Sequence, residues 1–322
     1  MAQRGPWETR TLGRTNMDVT IMGIGGAWLG HQGDGTFDER TGVETVLRGL
    51  ESGMNFIDTS GAYIGGQSER VIGIALKDWF AAGNRREDLV ICTKTGTRVR
   101  PHDYSYDFTM KSVETSLEAL GVDFIDILLV HDPESIDPVL APGGALTALM
   151  ELKNRDVIKA TGLGGRSHEH HLRCIETGAF DVALTFRDFN LVEQSAMRGV
   201  IEPALANGVG VVNASIMVGG ILGGAEPMRT TDRAKFHGRA HEEQLARAQR
   251  LWEWCRERNV DLGTLNLQYC LRESRIASTV LGFSNPGRVD QNVEALRVPI
   301  DEQIWTDLTR DFPVLPASRG HV

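Results

Sequence analysis

The chain reads as a single closed (β/α)8 barrel over residues 1–322, with an N-terminal hairpin and extended strand-to-helix loops. Three observations predict this. Apolar runs of four to six residues, rich in Val and Ile, recur eight times; longer amphipathic stretches separate them; and no linker rich in Pro, Ser or charge divides the chain. Residues Pro6 to Thr20 precede the first run and suit a hairpin closing the barrel bottom. The runs are Thr20 to Ile24, Asn55 to Asp58, Leu89 to Thr93, Ile125 to Val130, Ile158 to Gly162, Asp181 to Thr185, Gly210 to Asn213 and Ser278 to Leu281. Each is bounded by Gly, Asp or Asn, as buried parallel strands are. Helices are expected between them at Arg40 to Ser52, Ser68 to Phe80, Thr109 to Leu120, Gly144 to Asn154, His168 to Thr177 and Ser195 to Asn207. Val113, Leu117 and Leu120 recur at helical spacing, and Gly53, Gly121, Gly178 and Gly208 stand where left-handed caps end helices. A polar, Arg-rich insertion, Glu226 to Arg247, follows the seventh strand.

Length alone allows two domains, but 322 residues also suit one α/β barrel. A doubly wound sheet is the alternative. Its dinucleotide fingerprint would follow the first strand, where Gly23-Ile24-Gly25-Gly26-Ala27-Trp28 has no third Gly in place. A net charge of −9 argues against nucleic-acid and anionic-membrane partners, which need clustered cations. Cys92, Cys174, Cys255 and Cys270 show no Cys-x-x-Cys spacing, so no zinc or dithiol site is expected and a reduced cytoplasmic setting suits them. No run approaches a membrane span, and the first ten residues lack the apolar core of a signal peptide.

In such a barrel the chemistry gathers at the C-terminal ends of the strands. Asp58 ends the second, Tyr63 lies in the loop that follows, Lys94 ends the third and His131 the fourth. Taken singly these residues read as a turn residue, a loop aromatic, a solvated charge and a buried imidazole. Together they bring an acid, a phenol, an ammonium and an imidazole to one mouth. Lysine is scarce here, six against 28 arginines, so an ammonium at position 94 marks a specific need. Lys94 is expected to favour the phenolate and lower the pKa of Tyr63, with Asp58 orienting Lys94 and His131 positioning a carbonyl or alcohol oxygen.

The stretch Asn55-Phe56-Ile57-Asp58-Thr59-Ser60-Gly61-Ala62-Tyr63, followed by Gln67-Ser68-Glu69, resembles the signature of the aldo-keto reductases. The resemblance continues through Cys92-Thr93-Lys94, the Ser112 to Asp126 segment and Leu128-Leu129-Val130-His131, and covers nearly the whole chain. It implies an NAD(P)-dependent oxidoreductase with Tyr63 as general acid/base, supported by Asp58, Lys94 and His131, and with Trp28 walling the substrate pocket. Trp28 reads equally well as a loop aromatic covering the barrel edge.

The resemblance further implies that loops after the last two strands hold the cofactor. Ser215, Met217, Gly219, Gly220 and Leu222 match the diphosphate loop; Gly282, Ser284, Arg288, Gln291 and Asn292 match the adenosine end. Arg288 suits a 2′-phosphate, but Gly282 stands where many NADP-selective members carry Lys, so the balance falls to NAD over NADP. The chain departs from the family at the nicotinamide: Gly164 and Gly165 replace a Ser-Asn pair, Phe186 a Gln, and Ala214 a stacking aromatic. The glycine version resembles the sugar 1-dehydrogenase branch (L-fucose, D-threo-aldose and L-galactose dehydrogenases) and pyridoxal dehydrogenase.

The expected substrate is therefore a small, sugar-like carbonyl or alcohol. A broad NADPH-dependent aldehyde and ketone reductase is the runner-up, and a non-catalytic cofactor-binding regulatory subunit the alternative of another class. The chain is read as a monomer or homo-oligomer. His168-Glu169-His170-His171 reads as a solvated helix start rather than a metal site, His237 and His241 share a helical face without a third ligand, and Arg85-Arg86 reads as a helix-end pair.

Overall fold

The computed structural model describes residues 8–32, 35–230 and 239–315. A two-stranded hairpin, β1 (Thr9–Thr11) and β2 (Asp18–Thr20), precedes the barrel, with Thr9 opposite Thr20. Eight parallel strands then close on themselves: β3 (Met22–Gly25), β4 (Phe56–Asp58), β5 (Val90–Thr95), β6 (Ile125–His131), β7 (Ile158–Gly164), β8 (Val182–Phe186), β9 (Gly210–Ala214) and β10 (Ser278–Gly282). All eight apolar runs are strands. The sixth expected helix is broken, however: a π-helical turn at Met197–Ile201 leads into a short α-helix, Glu202–Ala206, with a proline in its first turn.

The side-chain period of a strand sorts the barrel into two cores. Phe56, Val90, Cys92, Ile127, Leu129, Ala160, Val182, Leu184, Val212 and Val280 fill the interior, whereas Ile57, Ile91, Leu128, Val130, Leu163, Ala183, Val211 and Leu281 face the helices. Counting on by two from the interior set reaches Asp58, Lys94, His131, Gly164, Phe186, Ala214 and Gly282. The uppermost inward layer is thus where apolar filling gives way to functional groups.

The hairpin plugs the opposite end. Leu12 and Val19 are fully buried against the interior set, and the Arg14 amide donates to the Gly208 carbonyl at 2.8 Å. The approach is so close that a Cβ on Gly210 would lie 2.7 Å from the Leu12 side chain. Arg10 donates to the carbonyls of Leu271, Glu273 and Ile276, tying the plug to the end of the helix Leu262–Arg272 and the segment between it and β10. Arg86, expected at a helix end, instead pairs with Asp126 at 2.7 Å and lies over the Phe124 ring, clamping β5 to β6. Among the described residues no helix is long and apolar enough to cross a membrane.

Candidate active site

Asp58 and Lys94 enter the mouth from neighbouring strands and form a buried ion pair, Nζ to Oδ1 at 2.6 Å, with a second bond from Nζ to the Thr59 carbonyl at 2.7 Å. The register explains the contact. Asp58 pairs with Cys92, so Lys94 stands one inward position further along β5. Tyr63 opens a 3-10 turn after β4, and its ring is held between two groups. The Lys94 ammonium lies 4.8 Å from the ring centroid, and the His131 imidazole lies edge-on at 5.5 Å. The four residues of the expected tetrad are brought together.

Their electrostatics depart from expectation at one point. Burial is the largest influence on Tyr63 and raises its pKa; Lys94 lowers it, but by less than burial, and Asp58 adds to the rise. The phenol is therefore held protonated at neutral pH, which corrects the expected lowering. Burial by itself would lower the pKa of Lys94, but Asp58, Tyr63 and Cys92 together overcome it and the net shift is upward. Burial, with the Lys94 charge, pushes His131 down to about 3, so its ring is neutral.

Several supporting residues were not legible as such. Thr97 Oγ1 at 2.7 Å and Ser60 Oγ at 3.1 Å both meet Nδ1 of His131, and Tyr104 donates to its carbonyl at 2.8 Å. The signature residues Ser68 and Glu69 brace the site from below. Ser68 contacts the Thr59 hydroxyl and donates to the Gly26 carbonyl; buried Glu69 accepts from Thr93 and Arg98.

Backbone strain collects at the same mouth. Of the eight described non-glycine residues with positive φ, five (Ile64, Asp132, Arg187, Ser215 and Val218) follow a barrel strand; Asn16, Asp156 and Asn259 lie elsewhere. Such conformations cost of order 1–3 kcal/mol and persist where surrounding structure enforces them. In the loop after β9, Ser215 (φ 56°) and the consecutive Val218 (47°), Gly219 (67°) and Gly220 (99°) are left-handed, with the Val218 and Gly220 amides donating to the Ser215 and Met217 carbonyls. Ser215, Gly219 and Gly220 are exposed and Met217 half-buried, whereas Leu222 turns its side chain wholly into the outer core.

After β10, Asn285 caps the helix Pro286–Arg297 by accepting from the Arg288 amide. Arg288 donates to Gln291 at 3.1 Å and Asn292 to the Arg288 carbonyl at 2.8 Å, with Ser284 beside Asn285. The exposed backbone of Ser215 and Gly219 and the Arg288, Gln291 and Asn292 side chains have the chemistry to meet the diphosphate and adenosine that the resemblance expects here. Trp28 is 53% exposed, a rim residue, and its indole covers Gly282: a Cβ there would lie 2.6 Å from Trp28 Cδ1. A lysine at 282 would therefore displace Trp28.

The histidine run starts a helix, with Glu169 exposed and His168 and His170 half-buried, but its last member departs from the solvated reading. His171 is buried with Nε2 against the Gly165 carbonyl at 3.0 Å, and burial pushes its pKa down to about 4. His168 meets buried Asp188 at 3.3 Å. Both pack under the β7 loop. No cluster of three potential metal ligands occurs among the described residues; His237 lies outside them, as does the side chain of His241. A cavity of about 280 Å3 lies outside the barrel, between Phe189, Arg247, Tyr269 and Trp305, away from the tetrad. An open groove of about 440 Å3 runs on the mouth side between His102–Ser105 and Pro138–Gly144.

Residues 21–310 match the profile described as the Aldo/keto reductase family. This chain belongs to that family. It is 28% identical to D-threo-aldose 1-dehydrogenase of a Pseudomonas species, over 90% of this chain and 93% of that protein. It is 31% identical to L-galactose dehydrogenase of Arabidopsis thaliana, over 90% and 88%. Pyridoxal 4-dehydrogenase of Microbacterium luteolum is 29% identical, over 94% and 96%. The fold is that of an aldo-keto reductase from Bacillus halodurans in its holo form, with a TM-score of 0.77 at 23% identity over 97% of each chain. This aldo-keto reductase is an NAD(P)-dependent oxidoreductase acting on CH–OH and C=O groups of small molecules.

Proposed function

We propose that this aldo-keto reductase is a sugar dehydrogenase of the aldose 1-dehydrogenase type, a one-domain cytoplasmic enzyme using NAD in preference to NADP. In this reading Tyr63 holds and moves the proton at the reacting oxygen. The observation that carries it is the Tyr63 ring held between the Lys94 ammonium and the His131 imidazole in the topmost layer of the barrel. The aldose and galactose dehydrogenases among its relatives supply the substrate class.

When bound, the nicotinamide exchanges hydride at C4 with the substrate carbon. The chain's own part concerns the oxygen. With a hydroxyl of Thr97 or Ser60 donating to Nδ1, the remaining proton of neutral His131 sits on Nε2 and is offered to the substrate oxygen. Tyr63 gives its phenolic proton to that oxygen on reduction and takes the alcohol proton on oxidation. Lys94 moderates the rise in the Tyr63 pKa, and Asp58 keeps Lys94 charged. Because burial holds the phenol protonated, oxidation should quicken as pH rises and reduction should slow.

The proton-loaded phenol also favours a second reading, carbonyl reduction. An NADH-specific methylglyoxal reductase of Escherichia coli is among the relatives, at 27% identity. Initial rates with NAD and aldoses against NADPH and aromatic aldehydes separate the two. Tyr63→Phe should lower kcat about 10²- to 10⁴-fold while the Kd for NAD(P)H, read by nicotinamide fluorescence, stays unchanged. Retained turnover would remove Tyr63 from the role.

A further inference from the structure

Arg187 follows the last residue of β8 and adopts φ 67°, a region an arginine enters only under constraint. Its main chain is pinned at both ends. The amide donates to the Ala214 carbonyl at 3.0 Å, and its own carbonyl accepts from Asn190 at 3.0 Å. The guanidinium is half-buried and makes no hydrogen bond or ion pair among the described residues; its Nε is buried without an acceptor.

The surrounding charges do not meet this need. Arg166, just beyond β7, lies near enough for the two cations to oppose one another, and its Nε is also buried without an acceptor. The carboxylate beside them, Asp188, is fully buried and already engaged by Arg166, His168 and the Thr185 hydroxyl, each at 3.3 Å. Asp132 accepts the backbone amide of Arg166. Asp188 and Asp132 accept their hydrogen bonds from Arg166 and its neighbours; Asp188 attracts Arg187 through space but offers its guanidinium no acceptor. A half-buried cation without an acceptor is costly, and a carboxylate is the complementary group for a planar guanidinium.

Location says whose carboxylate it is. The two arginines leave the ends of β7 and β8, flanking Gly164, which pairs with His131. A Cβ on Gly164 would meet Leu129 Cδ1 at 3.3 Å and Lys94 Cε at 3.6 Å, so the end of β7 lies directly against the Lys94 side chain of the tetrad. A molecule reaching Tyr63 and His131 there has Arg187 and Arg166 on one flank.

We propose that Arg187, backed by Arg166, receives a carboxylate of the substrate, so that the preferred substrate is an acidic sugar rather than a neutral one. One guanidinium without an acceptor fits one carboxylate. This rests on the sugar dehydrogenase reading of the same mouth.

The test compares three hexoses (galactose, glucose and mannose) with their hexuronates, using NAD and NADP, in the wild type, Arg187→Asn and Arg187→Lys. Asparagine tolerates positive φ, so the first variant removes the charge without adding backbone strain. For at least one pair, wild-type kcat/KM should favour the uronate tenfold or more. Arg187→Asn should collapse that ratio at least tenfold through KM for the uronate, and Arg187→Lys should restore part of it. A ratio near one in the wild type, or one that Arg187→Asn leaves unchanged, would overturn the role of Arg187 while leaving the sugar reading intact. A tenfold rise in the Kd for NADH or NADPH in Arg187→Asn with an unchanged ratio would assign the guanidinium to the cofactor diphosphate and likewise overturn the proposal. A wild type that oxidises no hexose and no uronate would sink both readings.

Discussion

Breaking the buried pair at the centre of the site has consequences that can be worked from its geometry. Asp58 and Lys94 are 4% and 2% exposed, and the ammonium serves both the Asp58 carboxylate and the Thr59 carbonyl. Lys94→Met leaves a carboxylate buried without its counter-charge, and Asp58→Leu leaves an ammonium so. Each should cost about 3–5 kcal/mol, the range for removing one partner of a buried pair. The double variant buries no charge, and apolar replacement of such a pair is neutral to stabilising; only the Thr59 carbonyl then loses a donor, at about 1–3 kcal/mol. The double variant should therefore lie within about 3 kcal/mol of the wild type, far from the sum of the singles. Urea unfolding followed by both circular dichroism and tryptophan fluorescence measures all four proteins, with coincident transitions as the check on two-state behaviour. The raised Lys94 pKa sets the pH window: its stabilisation is complete below the unfolded lysine pKa and is lost only as pH climbs through the higher folded value, so neutral pH is safe. Additive losses in the double variant, or a single variant costing under about 1 kcal/mol against the expected range, would refute the reasoning. The double variant should also lack turnover, separating what the pair does for the reaction from what it does for stability.

Two further outcomes are expected. The folded pKa of His171 is depressed to about 4, so its contribution to stability is present above the unfolded histidine value and drains away as pH falls toward the folded one. Between pH 7 and pH 5 this amounts to roughly 2 kcal/mol. His171→Gln keeps a donor for the Gly165 carbonyl but cannot titrate, so urea midpoints should show a smaller acid loss in the variant; equal losses would exclude His171. At the other end of the barrel, Leu12→Ala empties a fully buried position in the plug and should cost about 2–5 kcal/mol, read as a lower unfolding midpoint, with kcat/KM for the best substrate unchanged.

Local order was written plainly in the chain. Eight short Val- and Ile-rich runs became eight strands because a strand buried on both faces needs only a few consecutive apolar residues, a property of the segment itself. Four glycines placed to end helices, Gly53, Gly121, Gly178 and Gly208, all have positive φ. Even the gathering of Asp58, Tyr63, Lys94 and His131 follows from position. Strands β4, β5 and β6 are neighbours in sequence and in the barrel, and their inward residues recur every second position, so residues two beyond the last apolar filler meet at the top.

The sequence by itself thus determined the barrel, the family and which side chains converge at its mouth. The tertiary structure decided how those side chains behave, because burial and charge sum over neighbours far apart in the chain. It held the Tyr63 phenol protonated where Lys94 alone would have lowered its pKa. It placed Trp28 across Gly282, some 250 residues away in the chain, so that a lysine there would have to displace the indole. It drew His168 and His171 beneath the β7 loop and left the Arg187 guanidinium without a partner. Periodicity reports which face a residue occupies; whether a charge there is matched depends on what the folded chain brings to meet it.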